Sequence, residues 1–382
     1  MKLWSSYLHQ RCKTKYELMK RLFTFLVILI SLAACEKNRD KEEEAKTNAD
    51  LKIEVLAQSL SFPWEIIYGP DNFIWFTERP GKISRLNPMN GVVTLVHTIS
   101  EVNSIGEGGL LGMALHPQFS ANPYVYVVYD YGSGNAYKAK VVRFTFNNGK
   151  LESPLILLDL ISAASIHNGS RLLITADQKL LITTGDSNAA SEAQNKNSLS
   201  GKILRINLDG TIPTDNPLPN NRFWSYGHRN PQGLVIVGDK MYSSEHGPNN
   251  DDEINLIQKG KNYGWPNVEG YCNTGTERAF CALNEITEPM IAWTPTIAPS
   301  GLTYYNSDYI PQWKNSLLGV TLKGTKVMQL LLNQTGDKIT STAEFFPEHG
   351  RLRAICQSPE GKVYIATSNG TGADKIIEIS RR

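Results

Sequence analysis

The sequence predicts an all-β fold, a six-bladed β-propeller of four-stranded antiparallel blades, and three observations carry that prediction. The first is composition: 382 residues include thirty Gly and nineteen Pro, a supply of turns that suits many short strands. The second is periodicity. Residues 73–77, 124–129, 140–146, 172–174, 180–184, 362–366 and 375–379 read as short strands, several alternating apolar with polar side chains, and no long stretch repeats with the helical period. The third is an internal repeat of turn, strand, loop and strand, anchored at Asp71, Asp177, Asp239 and Glu360. These anchors lie 106, 62 and 121 residues apart, which suits multiples of a blade of roughly 40–60 residues. About 330 residues of folded chain then divide into roughly six blades. A pair of large β-sandwiches is the alternative, and the recurring strand–loop–strand unit favours the propeller.

The chain opens with an export signal. Residues 22–34 are a thirteen-residue apolar run, too short to cross a bilayer. Lys20-Arg21 precede the run and Leu32-Ala33-Ala34-Cys35 close it, the layout of a secretory signal. The last four residues resemble a bacterial lipobox, whose Cys is lipidated and becomes the new N-terminus; an ordinary signal peptide containing a Cys is the plainer alternative. Met19 lies closer to the run than Met1 and suits the start of translation better. The expected division is therefore 1–34 lipoprotein signal peptide, 35–50 charged tether and 51–382 propeller. The expected location is the bacterial cell envelope, with the chain held to a membrane through Cys35 and facing the periplasm or the cell surface.

Charge and cysteine usage agree with this. The chain has 39 basic and 37 acidic residues. Residues 1–34 remove six basic and one acidic, leaving 33 and 36, a net charge of 2 − 5 = −3. Such a balance excludes a nucleic-acid protein with its basic excess. With 41% hydrophobic residues, a sizeable core is within reach and general disorder is excluded. Of five Cys, Cys12 leaves with the signal and Cys35 takes the lipid. Cys272 and Cys281 bracket a short polar loop and could pair in an oxidising compartment. Cys356 lies in an apolar stretch and reads as a buried thiol.

Four polar clusters follow strands. His167, in Ile166-His167-Asn168-Gly169, is a candidate general base because an imidazole titrates near neutrality; Asp186, at the end of the next repeat strand, could orient it. A satisfied structural His is the commoner case. Gly185-Asp186-Ser187-Asn188-Ala189 nearly matches a nucleophile elbow, but its last position is Ala and no helix is expected after it. Arg229-Asn230 offers a fixed cation beside a flat amide, or simply a pinned loop. His246-Gly247-Pro248 leads into Asp251-Asp252-Glu253, a concentration of carbonyl and carboxylate oxygens of the kind Ca²⁺ prefers, or a solvated acidic loop. Lys323, Arg351 and Arg353 are late cations. Two Arg two apart on a strand share a face and suit a carboxylate-bearing anion; a rim of exposed charge is the alternative, although Glu348 is the one acidic residue nearby.

Together and in this order the clusters resemble the soluble pyrroloquinoline quinone (PQQ) sugar dehydrogenases, the glucose/sorbosone dehydrogenase family, across nearly all of residues 55–380. The likeness is specific at Gly109-Leu110-Leu111-Gly112 with His116-Pro117, Gly201-Lys202-Ile203-Leu204-Arg205 and Gly227-His228-Arg229-Asn230-Pro231-Gln232-Gly233. It continues at Asp252-Glu253-Ile254-Asn255, Asn262-Tyr263-Gly264-Trp265-Pro266, the stretch Thr294–Ser300 and Arg351-Leu352-Arg353. The resemblance implies a six-bladed propeller with PQQ and Ca²⁺ as cofactors. It implies oxidation of an aldose sugar at C1 to the lactone, hydride passing to the quinone and electrons to an external acceptor. His167 matches the general base and Asp186 the acid that supports it. Arg229 matches the Arg beside the reacting quinone carbonyl. Asn230, Thr296, Lys323, Arg351 and Arg353 match groups that hold the quinone and its three carboxylates. Gly247 and Pro248 match carbonyl ligands of the active-site Ca²⁺, and Glu253 and Tyr263 a second, structural calcium site. His246, counted with the cofactor-binding groups, and Glu107 stand where the best-studied glucose enzymes have Gln, which resembles the aldose sugar dehydrogenase branch. The loops that shape the sugar site and dimer contact are shorter here, so a monomer is expected. A calcium-dependent propeller hydrolase of the lactonase kind and a non-catalytic surface-binding propeller are the competing readings.

Overall fold

Six four-stranded antiparallel sheets follow one another along the chain in the structure, a computed structural model that describes residues 50–382. The expected signal peptide, Cys35 and all but the last residue of the tether lie outside the described residues. The innermost strands of blades 1 to 6 are Pro63–Tyr68, Leu110–Leu115, Leu172–Ile174, Pro231–Val237, Pro299–Tyr305 and Leu352–Gln357. Each touches the innermost strand of the next blade, and the sixth touches the first. The strands therefore form a closed ring around a central channel, and the propeller is the fold rather than a pair of sandwiches. Closure uses the start of the chain: Leu51–Leu60 is the outermost strand of blade 6, beside Asp374–Arg381. The Asp374 carboxylate clamps that junction, taking the Phe62 amide at 2.9 Å and the Thr367 hydroxyl at 2.9 Å.

The sequence repeat maps onto one hairpin, the second and third strands of blades 1, 3, 4 and 6. In blade 1 these are Ile74–Glu78 and Lys82–Leu86, in blade 4 Lys240–Glu245 and Asp252–Ile257. Blades 2 and 5 were invisible to the repeat because the turns before Tyr124–Tyr131 and Ser316–Thr321 are Asn122-Pro123 and Lys314-Asn315, without the acidic anchor. Apolar residues of these strands fill the layers between blades. Trp75, Leu110, Val127 and Phe144 pack blade 1 on blade 2, and Trp64, Leu111, Tyr126, Leu180 and Leu204 continue the core into blade 3. Fully burying one such side chain contributes about 1.5–3 kcal/mol.

One expectation fails outside the sheets. The segment between Cys272 and Cys281, read as a polar loop, holds most of a helix, α1 (Gly275–Asn284). Its start was legible: the Thr274 side chain accepts from the Glu277 amide while Glu277 accepts from the Thr274 amide, a capping box that satisfies otherwise orphaned donors. The two cysteines are joined in a disulfide across it. Cys356 is half-buried rather than fully enclosed, and burial pushes its thiol up.

Candidate active site

All six innermost strands run in one direction around the channel, so their N-terminal ends share one mouth. Because neighbours in a blade are antiparallel, the C-terminal ends of the second strands open at the same mouth. The sequence clusters occupy these positions. Glu107, His167, Arg229, Thr296 and Arg351 precede or begin inner strands of blades 2 to 6, whereas Asp186, His246 and Lys323 follow second strands of blades 3, 4 and 5. Residues scattered over 244 positions, from Glu107 to Arg351, are thus gathered by topology alone.

His167 and Asp186 meet directly. His167 Nδ1 lies 2.8 Å from Asp186 Oδ1. The same oxygen takes the Asn188 amide at 2.8 Å, and Oδ2 takes the Trp265 indole N–H at 2.8 Å. Burial pushes the Asp186 carboxyl up, but the His167 contact, the Asn188 amide and the Trp265 indole outweigh it and hold it below the usual carboxylate range. An ionised carboxylate only accepts, so Nδ1 carries a proton and Nε2 is the ring nitrogen left for exchange with a substrate. A depressed carboxyl stabilises the fold above its unfolded value of about 3.9 and loses that contribution as pH falls through the folded one. Asp186→Asn is therefore expected to lower Tm at pH 7, with the gap to the parent closing below about pH 3.9; thermal melts across pH check this.

The backbone beneath this pair is strained. His167, Ser170, Ser187 and Asn188 all have left-handed φ of +61°, +78°, +51° and +62°, conformations that non-glycine residues adopt at a cost and that cluster at functional sites. Gly185 makes the close approach feasible, since a Cβ there would lie 1.9 Å from the His167 carbonyl oxygen. Gly185→Ala is expected to displace His167 and lower kcat about tenfold or more, measured as steady-state turnover with holoprotein.

Beside the pair is a cationic, underpaired pocket. A cavity in the channel is lined by residues of five blades, among them Trp64, Glu107, Asn168, Gln232, His246 and Arg353. Glu107 Oε2 accepts from the His167 amide at 3.1 Å. Arg353 Nη1 donates to Gln232 Oε1 at 2.6 Å, and Gln232 donates to Asn230 Oδ1 at 2.9 Å. Asn230 Oδ1 also takes the Gly169 amide at 3.1 Å. Lys323 Nζ donates to the Thr296 hydroxyl at 2.8 Å. Arg229 lies over the Trp265 ring, 5.2 Å from its centre, and its Nη1 reaches the His246 carbonyl at 3.2 Å. Glu245 fixes this corner by accepting from the amides of Arg229 and Asn230 and from His228.

Carboxylates act on these cations only from beyond ion-pair distance: Asp186, Glu245, Glu107 and Asp252 on Arg229, Asp252 on Lys323, and Glu107 on Arg353. Among the described residues no carboxylate forms an ion pair with Arg229, Lys323, Arg351 or Arg353. Burial, only partly countered by Glu107 and aggravated by Arg171, Arg79 and Arg351, pushes Arg353 down to about 9. Burial, then Arg353 and Arg229, push His246 down to about 3, so its imidazole is neutral. Four buried polar atoms here have no partner: Arg229 Nε, Asn230 Nδ2, His246 Nε2 and Arg353 Nε. Such vacancies cost free energy unless a polar ligand fills them. The donor set fits a flat, polyanionic group.

The expectation that Arg351 and Arg353 share a strand face is corrected. Arg351 precedes the strand and is exposed, and the register slips between Leu352 and Ala354. That bulge breaks the alternation and sends Arg353 alone into the buried site.

The expected metal positions are formed by backbone. Gly247 sits in a turn so tight that a Cβ would be 1.8 Å from the Asn250 carbonyl oxygen, and its amide donates to Asp252 Oδ1 at 2.9 Å. Among the described residues no hydrogen bond reaches the Gly247 or Pro248 carbonyls, so these oxygens suit a hard cation. No three His, Cys, Asp or Glu side chains converge as a metal cage among the described residues. Glu253 is driven well above the usual carboxylate range by burial and then by Glu245 and Asp251, an environment a cation would relieve. The Tyr263 hydroxyl is spent on the Leu256 carbonyl and Gln258 amide, leaving its backbone oxygen for any ligand role.

Trp265, Trp64, Gln232 and Glu245 were not singled out from sequence. Trp265 and Gln232 lay inside quoted motifs, but their roles needed the partners that the fold brings, Asp186 and Arg353.

Comparison with known proteins agrees with this geometry. A family model described as Glucose / Sorbosone dehydrogenase matches residues 60–378. The chain is 32% identical to quinoprotein glucose dehydrogenase B of Acinetobacter calcoaceticus, over 92% of each chain. It is 31% identical to aldose sugar dehydrogenase YliI of Escherichia coli, over 87% of this chain and 94% of that one. The structure superposes on the PQQ-bound aldose sugar dehydrogenase of Streptomyces coelicolor with a TM-score of 0.76 and 29% identity, covering 87% of this chain and 98% of the other.

Proposed function

The chain belongs to the glucose/sorbosone dehydrogenase family, and from that premise we propose that it oxidises aldose sugars at C1 to the lactone, with PQQ as bound acceptor and Ca²⁺ beside it. The observation that carries this reading is the set of four unpartnered buried polar atoms, with cations that form no direct ion pair, next to a His–Asp pair. PQQ, when bound, supplies a two-electron acceptor for the hydride that leaves C1. Asp186 holds His167 so that Nε2 faces outward with its lone pair, ready to take the proton of the C1 hydroxyl. Loss of that proton and of the C1 hydride leaves a C1=O bond, so charge and electrons balance. Lys323 and Arg353 would hold carboxylates of the cofactor, with Arg351 at the exposed edge of the same patch. Arg229, pinned over Trp265, would sit against a ring oxygen and favour negative charge there. Asn230, Thr296 and His246 would complete the polar contacts. Gly247 and Pro248 would offer carbonyls to the active-site Ca²⁺, and Glu253 with the Tyr263 backbone a second calcium. Glu107, fixed by the His167 amide, places an acceptor where sugar hydroxyls approach.

Dye reduction by purified protein with an aldose tests the reading. Activity should require both PQQ and Ca²⁺, and reduction unaffected by omitting PQQ would sink it.

Export and anchoring belong to the same proposal. Cys35 carries lipid, the body faces the periplasm or cell surface as a monomer, and electrons leave to an external acceptor. Metabolic labelling with a radioactive fatty acid should mark the parent chain and not Cys35→Ser.

A further inference from the structure

We propose that the outer rim of blades 6, 1 and 2 is a docking face for a lipid bilayer surface. Among the described residues, eight of the thirteen large exposed apolar side chains lie on this rim. Val55 is on the outer strand of blade 6. Met89 (90% exposed), Val92, Val93 and Leu95 (55%) lie on the last turn and outer strand of blade 1. Leu155, Ile156 and Leu160 (68%) lie on Lys150–Ser162, the outer strand of blade 2.

The strands that carry them are neighbours. The outer strand of blade 1, Val93–Thr98, touches Lys150–Ser162, and the His97 ring is 5.2 Å from Phe144 of blade 2. On the other side, a Cβ on Gly91 would be 2.8 Å from the Leu56 carbonyl oxygen, so the blade 1 turn rests on the blade 6 strand. An apolar patch of this extent is a mark of an interaction surface.

On the outer strand of blade 2 the rim offers side chains rather than a free strand edge. On Lys150–Ser162, Pro154 has no N–H, Ser153 and Leu160 have φ of +53° and +59°, and the register slips three times against Lys138–Asn147. These features obstruct strand addition by a second copy. Nor is there a basic stripe, since Lys52 pairs with Glu54 and Lys150 shares its strand with Glu152. The contact is apolar, which suits a hydrocarbon boundary.

Chain length selects the occupant, and here the inference rests on the anchored reading of Cys35. Fifteen residues, 36–50, separate Cys35 from Leu51. In any conformation they reach at most about 50–54 Å. They join the propeller at the start of Leu51–Leu60, the strand that carries Val55 and whose far end leads to the channel mouth. A body so confined meets the bilayer at high effective concentration. Docking by the rim leaves the mouth open to sugar and acceptor.

The test uses the mature chain, residues 35–382 without the signal, carrying Cys35→Ser, which removes the lipid, and vesicles of phosphatidylethanolamine with phosphatidylglycerol. A second protein adds Leu95→Asp, Ile156→Asp and Leu160→Asp. The first should float with vesicles and the second partition at least tenfold more weakly, both sedimenting as monomers and reducing dye at equal rates. Equal flotation of the two, or no flotation of the first, overturns the proposal. So does a stable dimer of the first that the Asp substitutions dissociate, which would make the face a contact between copies. Failure of dye reduction in both proteins would sink the enzymatic reading without touching the flotation result, whereas lipid missing from the parent Cys35 would remove the ground for a bilayer as occupant and overturn the proposal.

Discussion

His167→Ala is expected to lose turnover by roughly 10²–10⁴-fold, the range for removing a general base, while PQQ still binds. The separation follows from geometry. The imidazole touches Asp186 and is held through its amide by Glu107, whereas the unpartnered polar atoms that would hold the cofactor belong to Arg229, Asn230, His246 and Arg353. Absorbance titration of the apoprotein with PQQ should therefore give nearly the parent curve. Because His167 sits at φ +61°, His167→Asn is the companion variant: Asn tolerates that backbone region, so a shared loss of rate is chemical rather than conformational. Near-parental turnover in either protein removes His167 from the mechanism.

Arg353→Met is expected to separate affinity from stability. A charge-assisted hydrogen bond contributes about 1.5–3 kcal/mol, so PQQ affinity should fall about 10- to 150-fold. Apoprotein stability should move the other way or stay level. Burial lowers Arg353 to about 9, and a cation whose folded value is lowered destabilises the fold at neutral pH. Replacing it with an apolar side chain of similar length removes that burden, offset by the Gln232 contact it breaks. Reconstitution titrations and apoprotein melts at pH 7 check the two halves. Arg351→Met, at an exposed position, should weaken PQQ less. Equal losses at the two positions would contradict the buried role of Arg353.

Legibility varied by residue for physical reasons. The acidic turn anchors at Asp71, Asp177, Asp239 and Glu360 announced four blades, because a hairpin writes its turn locally. Blades 2 and 5 use other turn residues and stayed silent. The helix α1 was written in the Thr274–Glu277 capping box, but the intervening residues bury nothing, so no apolar period advertised it. Arg353 was recognised as a cation, yet its burial came from a register slip between Leu352 and Ala354, which depends on the partner strand. Trp265 was one residue of a motif until the fold set its indole on Asp186, 79 positions away.

By itself, the sequence determined the strand-and-turn grammar, the approximate number of blades and the chemical types available to a site, because each is encoded by neighbours along the chain. Tertiary structure alone decided which of those groups meet. Closing six sheets into a ring turns all the inner strands' starts to one mouth, and that long-range constraint leaves His167 paired and the cations without direct ion pairs. It also decided that the outer strands of blades 6, 1 and 2, which carry exposed aliphatics, lie side by side, since separate edge strands become neighbours only when the ring is closed.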